Sequence, residues 1–144
     1  MKAPDARRCN ISSYRVIYGD TDKMGVVYYA NYLRWFECGR SEFLRQCGAP
    51  YGAIEARGIH FPVVEVNCQY AKPARYEDLL SIETRLDSVS RASLIFRYRI
   101  LRKGEEAPLA TGSTKHACIN AAGKLHRIPS DLMRLLHEAA ASET

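Results

Sequence analysis

Two aspartates and a glycine stand just before an apolar segment, and their types and spacing could perform acyl-transfer chemistry. The run reads Gly19-Asp20-Thr21-Asp22, and Gly25 follows it. A carboxylate at Asp22 could act as a general base or as a nucleophile toward a carbonyl group. A glycine at position 25 would allow a ligand or another stretch of backbone to approach closely.

The segment that follows has helical periodicity, and the start of a helix would add a second chemical group. We expect this helix to begin near Tyr29 and to end before Gly48 and Pro50. The first N–H groups of a helix lack intrahelical acceptors and carry partial positive charge, which suits an oxygen that becomes negative during a reaction. By composition alone, however, Asp20 and Asp22 are equally typical of an ordinary turn.

The remaining elements read as strands around this helix. The expected strands cover residues 12–18, 60–70, 80–89, 93–102 and 109–120, and a C-terminal helix covers residues 130–140 with Ser130 as its N-cap. A short connection is expected around residues 51–58. One long helix followed by consecutive antiparallel strands indicates an α+β fold, in which a sheet of about five strands wraps around the central helix.

The helical period assigns an apolar face to the central helix. At about 100° per residue, that face carries Tyr29, Tyr32, Leu33, Phe36, Phe43, Leu44 and Cys47. Arg40 falls within this face and Glu37 lies one turn earlier, so we expect an ion pair between them. Gly39 inside the helix predicts close packing against a strand or a partner.

The order of these residues resembles the signature of the 4-hydroxybenzoyl-CoA thioesterase family, whose members have the hotdog fold. The resemblance rests on the run from Gly19 to Asp22, on Gly25-Val26-Val27-Tyr28-Tyr29 and on Asn31-Tyr32. It continues in Phe61-Pro62-Val63-Val64, Tyr70-Ala71-Lys72-Pro73-Ala74, Asp78-Leu79-Leu80 and Ile82-Glu83-Thr84, and therefore covers nearly the whole chain.

The resemblance implies hydrolysis of an acyl-CoA or acyl carrier protein thioester, without a cofactor. It implies that Asp22 is the catalytic carboxylate and that the backbone N–H of Tyr29 polarises the thioester carbonyl. Asp22 would either activate water or attack the carbonyl to form a mixed anhydride, and both routes stay open, as do the acyl group and the carrier. Many relatives have histidine at position 29, so a role that requires an imidazole is not expected here.

Further candidates for substrate binding follow from the same resemblance. They are Gly25, Val27, Tyr32, His60, Phe61, Arg91, Ser93 and Arg127, of which the two arginines and the serine would hold the phosphates of coenzyme A. An ordinary solvated charge is the alternative for each arginine. Glu37 is a second candidate acid, because other hotdog enzymes use an acidic residue on the central helix.

Length and composition set limits on the class of protein. The 144 residues with 47% hydrophobic content suit a single domain over residues 1–144, with residues 1–10 as a flexible tail. We expect neither a signal peptide nor a membrane span, and therefore a cytoplasmic protein. The five cysteines and four histidines are scattered, so neither a metal site nor a set of disulfides is expected.

The net charge of +5 admits more than one polyanionic partner. Lysines and arginines are spread along the chain without a nucleic-acid-binding motif, so phosphates of coenzyme A are a better match than nucleic acid. Two hypotheses of different classes remain: a thioesterase, and a catalytically silent hotdog module that binds acyl groups, acyl carrier protein or other proteins. A hotdog protomer alone leaves a sheet edge open, so we expect a homodimer or homotetramer.

Overall fold

The computed structural model describes residues 8–140, which form one antiparallel sheet with three α-helices and a 3₁₀ turn at Tyr18–Asp20. The strands are β1 (Cys9–Arg15), β2 (Val63–Tyr70), β3 (Leu79–Ser90), β4 (Ser93–Arg102) and β5 (Ala110–Ala117). Their order across the sheet is β1-β3-β4-β5-β2, so β1 and β2 are the two edges. The helices are α1 (Asn31–Gln46), α2 (Tyr51–Ala56) and α3 (Ser130–Ala140).

The hydrophobic core lies between α1 and the face of the sheet that the helix covers. Strand β3 alternates buried and half-buried residues along its length, as a strand with one covered face does. Most of the largest fully buried side chains come from α1 and from inward positions of β3 and β4. They are Trp35, Phe36, Phe43, Leu80, Ile82, Leu86, Leu94, Phe96, Tyr98 and Ile100. Leu109 and Ile128 are buried to the same extent outside these elements. Helix α3 packs against β3, and an Arg57–Asp131 ion pair of 2.9 Å joins it to the end of α2.

Two glycines allow α1 to approach the sheet closely. A Cβ atom on Gly39 would collide with the Thr84 hydroxyl and lie 3.0 Å from Ile82 Cγ2. On the strand side, a Cβ atom on Gly112 would lie 2.6 Å from the ring of Phe36. The expectation that Gly39 packs closely against a strand is therefore confirmed.

The structure corrects several boundaries predicted from the sequence. Strand β1 begins at Cys9 rather than Ser12. The predicted flexible tail over residues 1–10 is therefore wrong for Cys9 and Asn10. Residues 1–7 lie outside the described part of the chain. The first helix begins at Asn31, two residues after Tyr29. The connection at residues 51–58 contains the short helix α2, and Ser130 is the first residue of α3 rather than its cap.

The predicted apolar face of the central helix is confirmed at five of its seven residues, since Tyr32, Phe36, Phe43, Leu44 and Cys47 are buried. Tyr29 and Leu33 are 62% and 37% exposed, whereas Trp35, which the periodicity did not assign, is 1% exposed. Tyr29 lies before the helix, so its side chain does not follow the helical period. Between residues 8 and 140, no helix has the length and apolar character that crossing a membrane requires.

We expect Gly39→Ala to lower the free energy of unfolding by about 1–3 kcal/mol, because the added methyl group overpacks the contact with Thr84 and Ile82. Denaturant unfolding of the variant measures this change. Gly52→Ala in α2 is the matched control, since a Cβ atom there meets nothing within 4 Å, and alanine should raise stability by up to about 1 kcal/mol. Equal effects at the two positions would contradict the close approach at Gly39.

Candidate active site

Asp22 lies in a tight turn that its own atoms help to close. Its Oδ1 accepts a hydrogen bond of 2.8 Å from the Met24 N–H, and its backbone N–H and C=O bond to Val26 and Gly25. Gly25 has a φ of 82°, in the left-handed region that favours glycine. Residues Thr21 and Val27 then pair as an antiparallel bridge. The turn therefore holds one carboxylate oxygen and leaves the half-buried Asp22 side chain at its mouth.

The neighbouring Asp20 has a structural role. Its side chain is buried, and Oδ2 accepts hydrogen bonds from the Tyr14 hydroxyl at 2.7 Å and from the Ile17 N–H at 3.0 Å. Its main-chain oxygen accepts the Tyr28 N–H at 2.9 Å and the Asn31 side-chain amide at 2.8 Å. Asp20 therefore fixes the Asp22 turn relative to the end of β1 and the start of α1.

The backbone before α1 is arranged so that one N–H points away from the helix. The Tyr28 carbonyl accepts the Asn31 N–H at 3.0 Å, in a turn that leads into α1. In a trans peptide the N–H is antiparallel to the C=O, so the Tyr29 N–H points away from that turn. Among residues 8–140, no hydrogen-bond acceptor is found for the Tyr29 N–H. It is therefore available to an oxygen atom of a ligand.

Asp22 and Tyr29 line the same open cleft, which has a volume of about 280 Å³. We refer to it as the Asp22 cleft; its walls are Asp22, Met24, Val26, Val27, Tyr29, Tyr32, Tyr70, Ala71, Lys72 and Pro73. Four of the residues predicted from the sequence to form the site therefore meet here, namely Asp22, Val27, Tyr29 and Tyr32, and Gly25 closes the adjoining turn. Val27 and Tyr32 are buried and both bond to the backbone of Ala74, which fixes the floor of the cleft.

The other predicted residues lie at the opposite end of the sheet. The Asp22 turn adjoins the start of β3, where the Val16 N–H bonds to the Asp78 carbonyl. The turn between β3 and β4 is at the far end, and there the Arg91 carbonyl accepts the Ile128 N–H. A strand of 12 residues such as β3 spans roughly 35–40 Å. His60, Phe61, Arg91, Ser93 and Arg127 therefore do not belong to the Asp22 cleft of the same protomer.

Phe61 instead lines a second cavity of about 330 Å³, between α1 and the start of β2. We refer to it as the Phe61 cavity; its polar lining residues are Glu37, Arg40, Ser41, Tyr51 and His116, and its apolar ones are Leu44, Phe61, Pro62, Val63, Leu94 and Phe96. The predicted ion pair is present, with Arg40 Nη2 3.6 Å from Glu37 Oε1. Arg40 is largely buried whereas Glu37 is 72% exposed, so the pair lies at the mouth of the cavity.

A directed chain of hydrogen bonds runs behind this cavity. The Phe61 carbonyl can only accept, so His116 Nδ1, 2.9 Å away, carries a proton and Nε2 accepts from the Thr114 hydroxyl at 2.8 Å. Because the Thr114 hydroxyl donates its proton to His116, it is the acceptor in its hydrogen bond of 2.6 Å with the Tyr98 hydroxyl. At the other end of this chain of hydrogen bonds, burial raises the pKa of the Tyr98 hydroxyl, and the charge of Arg40 lowers that pKa to a smaller extent. Burial lowers the pKa of His116 below its ordinary value of 6.5, and the charge of Arg40 acts in the same direction.

The amino-acid sequence matches a known family over most of its length. The model of the thioesterase-like superfamily matches residues 16–136. The chain belongs to this superfamily. A hypothetical protein from Thermus thermophilus, known from its crystal structure, is 40% identical and superposes with a TM-score of 0.85, covering 90% of this chain and 98% of that one.

Two relatives have named activities. An acyl-CoA thioesterase YbgC from Haemophilus influenzae is 33% identical over 126 residues, which cover 85% of this chain and 90% of that protein. A 4-hydroxybenzoyl-CoA thioesterase from Pseudomonas sp. is 31% identical over 91 residues, which cover 61% of this chain and 64% of that protein. The resemblance to this family and the hotdog fold are confirmed, and the protein is a thioester hydrolase.

Sequence reasoning missed three residues that shape the Asp22 cleft. It treated Asp20 as a turn former, and it quoted Asn31 and Tyr70 only as parts of the family signature. Asp20 and Asn31 join the turn to the helix, and the Tyr70 hydroxyl donates a hydrogen bond of 2.8 Å to the Tyr29 carbonyl. The sequence contained an indication of the role of Asp20. When two carboxylates lie two residues apart in a turn between a strand and a helix, one can be buried while the other remains accessible to a ligand.

We expect the free energy of unfolding to decrease as the pH is lowered from about 6.5, and His116 to account for part of this decrease. Its pKa is lower in the folded than in the unfolded chain, so above pH 6.5 both states are neutral and the group has no effect. As the pH falls further, the unfolded chain binds the proton first and stability decreases. Denaturant unfolding at about pH 7.5 and about pH 5.5 should show a larger loss for the wild type than for His116→Gln. An equal loss in both proteins would contradict this account.

Proposed function

We propose that the protein hydrolyses acyl-CoA thioesters in the cytoplasm, with Asp22 as the catalytic carboxylate and the Tyr29 N–H as the oxyanion donor. The observation that carries the proposal is that Asp22 and Tyr29, seven residues apart in the sequence, line one cleft. Relatives named as acyl-CoA thioesterases support the substrate class. Five free cysteines, within the part of the chain that the structure describes, are typical of a reducing compartment.

The proposed reaction needs only a base and a donor. In the general-base route, Asp22 removes a proton from a water molecule whose oxygen attacks the thioester carbonyl carbon. The carbonyl oxygen becomes negative and accepts a hydrogen bond from the Tyr29 N–H. Collapse of the intermediate breaks the C–S bond, and the leaving sulfur takes the proton back from Asp22, so that coenzyme A departs as the free thiol. In the nucleophilic route, Asp22 itself attacks the carbonyl carbon, the C–S bond breaks and the CoA thiolate leaves. Water then hydrolyses the resulting mixed anhydride, which releases the free acid and regenerates the Asp22 carboxylate.

Edge strand β2 supports the expected homodimer. Along β2 only Cys68 is half-buried and every other residue is exposed, although the strand contains three valines. Val63, Val64 and Val66 are 43%, 57% and 47% exposed. An apolar, unpaired edge strand is a template for pairing with another strand. A second copy that pairs its own β2 antiparallel to this one would cover both the valines and the open hydrogen-bonding edge.

Antiparallel pairing of two β2 strands would also reunite the two halves of the predicted site. The Phe61 cavity adjoins the start of β2, and the Asp22 cleft adjoins its end. In an antiparallel pair, the start of one strand lies beside the end of the other. The Asp22 cleft of each protomer would then adjoin the Phe61 cavity of its partner, where the acyl group can be held. Arg91, Ser93 and Arg127 lie at the same end of the sheet as Phe61 and are proposed to hold the phosphates of coenzyme A.

The principal competitor within the same fold is Glu37. It lines the Phe61 cavity and is paired with Arg40, so a carboxylate is present at the mouth of the second cavity as well. The other alternative is a silent module that binds acyl groups, acyl carrier protein or other proteins without hydrolysis.

We expect Asp22→Asn to lower kcat by about 10²–10⁴-fold on its preferred acyl-CoA, because the amide can neither accept a proton nor attack the carbonyl. Thiol release from short aliphatic, long aliphatic and aromatic acyl-CoAs and from acyl carrier protein thioesters measures this loss and ranks the substrates. Glu37→Gln tests the competing carboxylate, and Glu42→Gln, at an exposed acid of α1 outside both cavities, is the matched control and should stay within about threefold of the wild type. Full activity in Asp22→Asn with a large loss in Glu37→Gln would exchange the two assignments, and no thiol release from any substrate would favour the silent module.

We expect the wild-type protein to sediment as a dimer or a dimer of dimers, and Val66→Lys to shift it toward monomer with loss of activity. The charged side chain opposes edge-to-edge pairing of β2. Ile11→Lys is the matched control: Ile11 is 63% exposed on the opposite edge strand, β1, so this variant should keep both the assembly and the activity. A stable, active wild-type monomer would contradict the proposed assembly.

A further inference from the structure

Tyr70, the last residue of β2, contacts the backbone that precedes α1. Its hydroxyl donates a hydrogen bond of 2.8 Å to the Tyr29 carbonyl. Its ring packs edge-on against Tyr32, with centroids 5.0 Å apart, and against Tyr29, with centroids 6.5 Å apart. Burial raises the pKa of Tyr70, so the hydroxyl keeps the proton that it donates.

This hydrogen bond fixes the second of two consecutive peptide groups. The Asn31 N–H holds the Tyr28 carbonyl, and with it the plane of the peptide that contains the Tyr29 N–H. The Tyr70 hydroxyl holds the Tyr29 carbonyl, which belongs to the next peptide. No backbone N–H among residues 8–140 donates to the Tyr29 carbonyl, whereas the carbonyls of Tyr28 and Ala30 on either side each accept one. The backbone dihedrals of Tyr29 are therefore set from both sides, from one side by Asn31 and from the other by Tyr70.

We propose that Tyr70 is a positioning residue whose hydroxyl holds the Tyr29 N–H in the orientation that stabilises the oxyanion. The inference rests on the proposed function of the Asp22 cleft. It adds a side chain from the edge strand β2 to the machinery of that cleft, although Tyr70 itself need not touch the reacting atoms. Because Tyr70 ends the strand that is proposed to pair with a second copy, the same hydrogen bond connects subunit pairing to the geometry of the oxyanion donor.

The alternative is that Tyr70 only contributes packing. Tyr70→Phe separates the two, because the ring contacts with Tyr32 and Tyr29 remain while the hydrogen bond is lost. Removal of a whole oxyanion donor costs about 10²–10³-fold in kcat, so a loosened donor should cost less, about tenfold. KM should change little, since the donor acts mainly on the charge that develops in the transition state.

The first experiment compares steady-state kinetics of the wild type, Tyr70→Phe and the matched control Tyr76→Phe. Tyr76 is 53% exposed and lies outside the Asp22 cleft. A fall of about tenfold in kcat in Tyr70→Phe alone, with KM, sedimentation and thermal unfolding unchanged, supports the proposal. Unchanged kcat overturns it. Failure of Tyr70→Phe to fold or to assemble also overturns it, because the hydroxyl would then be structural.

A double-mutant cycle tests whether Tyr70 acts through the Tyr29 N–H. Tyr29→Pro removes that N–H at a position before the helix, and Tyr29→Phe retains it as a control. If Tyr70 acts through this donor, Tyr70→Phe should cost no further activity in the Tyr29→Pro background. The same tenfold loss in both backgrounds would falsify the proposal. Asp22→Asn, measured alongside, separates failure of the proposed function from failure of the role of Tyr70. Full activity of Asp22→Asn would reject the proposed function itself. If Asp22→Asn is inactive but Tyr70→Phe has the activity of the wild type, only the role of Tyr70 is rejected.

Discussion

The geometry of the Asp22 cleft depends on the buried Asp20. A buried carboxylate is costly unless its oxygens are hydrogen-bonded. Asp20 meets this requirement with the Tyr14 hydroxyl and the Ile17 N–H, and Arg34 lies 3.9 Å away. Its main-chain oxygen also bonds to the two residues that lead into α1. One aspartate therefore connects strand, turn and helix, and the other, two residues later, lies at the mouth of the turn and lines the cleft.

The interior beneath α1 combines tight apolar packing with a polar path. Phe36 and Tyr98 stack with ring centroids 4.2 Å apart, where Gly112 leaves room for the Phe36 ring. The Tyr98 hydroxyl at the edge of this stack belongs to the chain that ends on the Phe61 carbonyl. Each buried hydroxyl and ring nitrogen along the path has a partner, so the direction of every hydrogen bond is determined. Besides the ladder between β2 and β5, the His116 ring thereby joins the Phe61 carbonyl, just before β2, to strand β5.

The sequence supports the prediction of the fold and of the cleft because both depend on local patterns. The change of period near Tyr29, the run from Asp20 to Gly25 and the spacing of the strands are all visible in the chain. Residues far apart in the sequence were harder to place: Phe61 and Arg91 belong to the opposite end of the sheet from Asp22, and this follows only from the strand order and the length of β3. The exposure of Leu33 and the burial of Trp35 likewise depend on where the helix begins and how it sits on the sheet.

Edge strand β2 explains how the Phe61 cavity and the Asp22 cleft, which are far apart in one protomer, are related. Phe61 precedes β2 and Tyr70 ends it, so a single short strand connects the Phe61 cavity to the Asp22 cleft. Within one protomer the two are at opposite ends of that strand and cannot share a small acyl group. A twofold axis near the middle of β2 would exchange the ends and place each cleft beside the other protomer's cavity. The same strand would then position the oxyanion donor through Tyr70 in its own subunit and contribute to the acyl pocket through Phe61 in the other. In the proposed assembly, a chain that failed to pair would still contain its own Phe61 cavity, but no such cavity would adjoin its Asp22 cleft.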